Sequence, residues 1–118
     1  MRLYGIRVFV DDFAPARRFY GHTLGLEERW AMPEVGVAGY ALGDATLIVE
    51  VEDPNGEDGH LVGRFVGISI AVDDMDQSYR ALFDKGVHFA GPPVKQVWGG
   101  TLAHFRDPAG NTLTLLSD

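Results

Sequence analysis

Residues Gly5 to Asp12 read Gly-Ile-Arg-Val-Phe-Val-Asp-Asp, and Gly67 to Asp74 read Gly-Ile-Ser-Ile-Ala-Val-Asp-Asp. The two segments lie 62 residues apart (67 − 5), a little over half of the 118-residue chain. In both copies an alternating apolar run ends on paired aspartates and passes into helical spacing. A repeat of this period constrains the whole architecture, because each copy has to form the same supersecondary unit. It predicts an α+β fold of two β-α-β-β-β modules facing each other, with a ligand-sized hollow between their sheets. Module one covers 1–52, a linker 53–61 and module two 62–118, within a single domain spanning 1–118.

Ile6, Val8 and Val10 alternate with Gly5, Arg7 and Phe9, and Ile68, Ile70 and Val72 alternate with Gly67, Ser69 and Ala71. Period two marks half-buried strands. The β-branched face should pack on helices, leaving Gly5, Arg7 and Phe9 on the other side. Asp12 and Asp74 stand where helix N-caps belong. Met75, Tyr79, Leu82 and Phe83 form a helical stripe ended by Gly86. Phe13, Ala16, Phe19 and Tyr20 mark the earlier helix, with Pro15 tolerated in its first turn. Further strands are expected near 27–32, 37–42 and 46–51, then 87–89, 101–106 and 112–116. Asp107-Pro108-Ala109-Gly110-Asn111 reads as a tight hairpin turn.

A chain of this length can bury a real core. It has no cysteine, which removes disulfides, thiolate metal sites and cysteine nucleophiles. The expected setting is cytoplasmic. A formal charge of −7 argues against nucleic acid, which needs a basic footprint. No apolar run is long enough to predict a membrane span.

Val10-Asp11-Asp12, Arg18-Phe19-Tyr20 and Leu24-Gly25-Leu26 resemble the first-module signature of the vicinal oxygen chelate superfamily, the glyoxalase, bleomycin-resistance and extradiol dioxygenase group. Asp107 to Asn111 with the following Thr112 to Leu116 resembles its closing hairpin. Val97-Trp98-Gly99-Gly100 resembles bleomycin-resistance-like members. The resemblance covers the whole chain. It implies curved sheets forming a cup, a homodimer, and metal ligands on the first and last strand of each module. The matching positions here are Gly5, Glu50, Gly67 and Thr114, of which only Glu50 is a good donor. A catalytic divalent ion needs about three protein ligands, so the departure of this chain from that ligand pattern leads to the expectation of no metal site and no cofactor. His22, His60 and His88 are expected outside the cup. His104 is the best histidine for a polar contact or general base, its face left open.

The resemblance implies that the first and fourth strands of a module are neighbours, which would put Arg7 beside Glu50. Two readings stand: a self-neutralising ion pair, or a charged fork that orients a ligand. Phe9, Tyr40, Trp30 and Trp98 could wall a pocket, with Trp98 favoured because it lies in a loop. The candidate ligand-binding residues are therefore Arg7, Phe9, Tyr40, Glu50, Trp98, His104 and Thr114, with Glu50 and His104 also candidate catalytic groups. The functional expectation is a small-molecule-binding protein taking an aromatic or cationic ligand. The alternative is a glyoxalase-like lyase or isomerase with a divergent metal site using Glu50. An accessory domain with an unused cup is the third reading. Whether modules pair within one chain or between two stays open.

Overall fold

The computed structural model describes all 118 residues. They form two compact units, Met1–Arg64 with Pro108–Asn111, and Phe65–Asp107 with Thr112–Asp118. The first unit runs β1 (Gly5–Val10), α1 (Phe13–Arg18), β2 (Glu28–Met32), β3 (Val37–Leu42) and β4 (Ala45–Val51). Its sheet is ordered β1-β4-β3-β2, with β1 parallel to β4 and the other pairs antiparallel. In the second unit, β5 (Phe65–Ala71) and α2 (Met75–Asp84) precede β6 (His88–Phe89), β7 (Val94–Lys95), β8 (Thr101–Arg106) and β9 (Thr112–Ser117). That sheet is ordered β5-β9-β8-β6, with β7 also on β8. No helix is long and apolar enough to cross a membrane.

The predicted strands appear with small boundary shifts, and β7 was not foreseen. Two residues following Pro92-Pro93 leave no periodicity to read. The face assignment for β1 holds. Val8, Val10, Leu47 and Val49 are at most 1 % exposed, and α1 contacts β4 on this side. In the second unit Ala103, Phe105, Leu113 and Leu115 are the matching buried set. Of the predicted α2 stripe, Met75 is buried and Tyr79 and Leu82 are half-buried, but Phe83 is exposed.

The two aspartates behave differently at the helix starts. Asp74 accepts a hydrogen bond from Gln77 N at 3.1 Å, whereas Asp12 makes no capping bond. The residue three after Asp12 is Pro15, which has no N–H to donate. The first helix also changes pitch, because Phe19–Thr23 is a π-helical turn closed by Leu24 N to Phe19 O at 2.8 Å. The consecutive rings of Phe19 and Tyr20 are both buried there, edge to face at 5.1 Å.

Gly5 is required by close backbone approach rather than by an open space. A Cβ built on it would lie 2.3 Å from the Thr46 carbonyl oxygen. Gly5→Ala should therefore force β1 away from β4 and destabilise the protein by about 1–3 kcal/mol. Chemical denaturation checks this, and an unchanged midpoint would contradict it. Gly67 has a different role. It takes φ +76° inside an irregularity of β5, which shifts the register between Phe65 and Ser69. Ser69, not Gly67, consequently lies beside Thr114.

Candidate functional site

On the first sheet, Arg7 stands beside Ile48 and Phe9 beside Glu50. The Arg7 guanidinium forks Glu50, donating from Nε to Oε2 at 2.5 Å and from Nη2 to Oε1 at 3.0 Å. The hydrogen bond and charge of Glu50 push the Arg7 pKa above its ordinary value. The same guanidinium covers the Phe9 ring, 5.2 Å from its centroid, a cation–π arrangement. Phe9 is buried as a result, while the Arg7 side chain is 63 % exposed and that of Glu50 22 %. So exposed a pair adds little stability, and its accessible pole is the positive one.

Trp30 joins this face through a bulge. The β2–β3 register passes from Glu28 opposite Tyr40 to Trp30 opposite Gly39, so two residues of β2 answer one of β3. A bulge of this kind re-aims the following side chain. Glu28 thereby turns to the helix side, and Trp30 lays its indole over Gly39, where an added Cβ would fall 2.5 Å from the ring. Arg7, Ile48, Gly39 and Trp30 then form one row across all four strands.

Tyr40 does not share that face. It is fully buried on the helix side, 6.0 Å from the Tyr20 ring, and donates its hydroxyl to Glu28 Oε1 at 3.1 Å. Glu28 is also forked by Arg17 at 2.9 and 3.0 Å, which holds its carboxyl below the ordinary range. Burial, then the bond to Glu28, pushes the Tyr40 phenol up to about 12. Its folded pKa exceeds the unfolded value of 10.0, so this stabilisation is complete below pH 10 and is lost as pH rises toward 12. Ultraviolet titration should show one phenol ionising near 12. Complete phenolate formation by pH 11 in the folded protein would contradict this.

In the second unit the face of His104 is settled by its partners. His104 stands opposite Thr114 and Thr114 beside Ser69. The His104 Nδ1 and Thr114 Oγ1 are 2.8 Å apart in a hydrogen bond, and the Phe65 ring lies 6.2 Å from the imidazole. His104 also borders a 310 Å³ cavity with Pro92, Val94, Gln96 and Leu102. Trp98 is 59 % exposed and folds its ring over Gly100, where a Cβ would lie 2.0 Å away. Both tryptophans thus lie across a glycine.

The donor set does not suit a catalytic divalent ion. No three His, Asp or Glu side chains are grouped to hold one. Glu50 is engaged by Arg7 and the Thr114 hydroxyl by His104. The Trp30–Gly39 contact and the neighbouring Phe65 and Ser69 were missed as site features. A glycine inside strand β3 was the one available signal, since it marks a close approach.

A β-α-β-β-β unit, followed by a second of the same order with one added short strand, β7, defines the class of fold. The chain belongs to the Glyoxalase/Bleomycin resistance protein/Dioxygenase superfamily, whose family model matches residues 2–115. It is 30 % identical over 125 residues to the uncharacterized protein YraH of Bacillus subtilis (strain 168), covering 98 % of this chain and 97 % of that protein. A superfamily member from Sphaerobacter thermophilus DSM 20745 has a solved structure with 30 % identity and a TM-score of 0.81, covering 100 % and 98 % of the two chains. TnmS3, an antibiotic binding protein from Streptomyces sp. CB03234, shows 27 % identity and a TM-score of 0.79, covering 99 % and 95 %.

Proposed function

We propose that this chain is a small-molecule-binding protein that takes an aromatic ligand without a catalytic metal. The observation that carries the reading is that Glu50 and Thr114 are already engaged by Arg7 and His104, beside aromatic surface rather than beside further donors. Binding sites are largely apolar with a few placed polar groups, and each sheet offers that mixture. The likeness to an antibiotic binding protein supports the same reading. A homodimer is part of the proposal, supported by the exposed apolar residues Met32, Val35 and Val51. Sedimentation at increasing concentration checks it, a monomer throughout being the contrary result.

Intrinsic fluorescence tests the binding directly, since the chain has two tryptophans. A panel of aromatic compounds should contain members that quench saturably in the presence of a chelator. Trp30→Phe and Trp98→Phe, taken singly, show which indole reports. Absence of any saturable response in the wild-type chain sinks the reading. Turnover of a glyoxalase substrate by the wild-type chain that is abolished in Glu50→Gln would favour the lyase alternative, whereas a binder shows no turnover in either.

A further inference from the structure

We infer that the first-unit face selects a ligand carrying an anionic acceptor group, a carboxylate on an aromatic ring system, with Arg7 and Trp30 as its specificity-determining residues. The inference rests on the binding reading above and adds the polar chemistry of the ligand. It follows from which hydrogen-bonding groups remain open. Arg7 uses Nε and Nη2 on Glu50, and its Nη1 has no partner. Guanidinium has five N–H donors and no acceptor, so the unused edge can only donate. Trp30 Nε1 likewise has no partner within the chain and is not buried. Glu50 is the less exposed member of its pair, and each of its oxygens already accepts from Arg7. The open polar groups on this row are therefore donors, and they call for acceptor atoms.

Spacing supports an aromatic acid of modest size. Arg7, Ile48 and Gly39 sit on successive strands, which are about 4.8 Å apart. From the Arg7 strand to the Trp30 indole over Gly39 is thus roughly 10 Å, with Ile48 as an apolar floor between. A fused two-ring system lying on Ile48 could place its carboxylate at Arg7 and its far edge at Trp30. The formal charge of −7 favours cations only through the long-range field. That field is screened over about 8 Å at physiological ionic strength, so the directly contacting group decides. The bulge in β2 is the second observation, because it brings Trp30 to this face.

The test is calorimetric titration of the full chain with three matched probes: 2-naphthoate, neutral 2-naphthylmethanol and cationic 2-naphthylmethylammonium. Naphthoate should bind tightest. Arg7→Gln should weaken naphthoate by about 10- to 100-fold, the scale of a charge-assisted hydrogen bond, while changing the neutral probe only slightly. Glu50→Gln should strengthen naphthoate several-fold, since it removes the charge that neutralises Arg7. Trp30→Phe keeps an aromatic surface and loses the N–H, so its loss should be smaller than that of Arg7→Gln. Equal binding of all three probes, or preference for the cation, overturns the inference while leaving the binding reading intact. If none of the three binds but other aromatic compounds do, the inference alone fails. If no aromatic compound binds, both fail. Circular dichroism of each variant confirms that folding is retained, and Arg7→Lys provides a second variant that keeps the charge and loses the fork.

Discussion

Asn111→Ala is expected to cost about 3–5 kcal/mol of stability, because one buried side chain satisfies three backbone groups. Asn111 is 0 % exposed and lies in the first unit, just before β9. Its Oδ1 accepts from the backbone N–H of Gly63 at 2.9 Å and of Arg64 at 3.1 Å, and its Nδ2 donates to the Phe9 carbonyl at 2.7 Å. Truncation leaves all three backbone groups without this partner. Each buried group left unsatisfied costs about 1–3 kcal/mol, and partial access of water at Gly63 and Arg64 moderates the sum. The midpoint of thermal unfolding should fall by roughly 10 °C or more. Asn111→Asp keeps the acceptor and loses the donor, so it should also destabilise, with its carboxylate set against the Phe9 carbonyl. A loss below about 1 kcal/mol for Asn111→Ala, the value of one ordinary hydrogen bond, would show that the turn does not depend on this side chain.

Tyr40→Ala should lower stability by about 3–5 kcal/mol, the usual cost of removing a large buried aromatic ring. The ring fills the space between Tyr20 and the sheet, and its hydroxyl completes the Arg17–Glu28 cluster. Tyr40→Phe isolates the hydroxyl and should cost about 1 kcal/mol. Neither loss should involve ligand contact. In the folded Tyr40→Phe variant, the affinity for an aromatic ligand should match the wild type within a factor of about two. A tenfold drop there would place Tyr40 back among the ligand-binding residues expected from its sequence position.

That misplacement shows what the sequence conceals. The repeated Gly-Ile run made the two strands and their buried faces legible, because period two assigns alternate residues to opposite faces. The pairing of Arg7 with Glu50 followed from the family resemblance rather than from periodicity, and the parallel β1–β4 pair bears it out by setting Phe9 beside Glu50 and leaving Arg7 within reach. The face of Tyr40 was not readable, because it depends on the β3–β4 register, which sets Tyr40 opposite Leu47. That of Trp30, named only as a possible wall, was not readable because it depends on a bulge. One extra residue in β2 sends Glu28 to the helix side and Trp30 to the other. The two module-opening glycines looked equivalent as letters. One answers a backbone collision and the other a positive φ within a register shift. The side of His104 was open for the same reason, and its bond to Thr114 resolves it. Asp12 lacks its capping bond because of a proline three residues on, a detail that was present in the sequence.

The most direct trial of aromatic recognition by side chains alone is calorimetry with 2-naphthoate on protein stripped by a chelator, repeated after adding Zn, Ni, Mn or Fe in turn. The heat and stoichiometry should be the same in every titration. Binding that vanishes in the stripped protein and returns with one of these ions would contradict the account and make a metal-dependent lyase the better description.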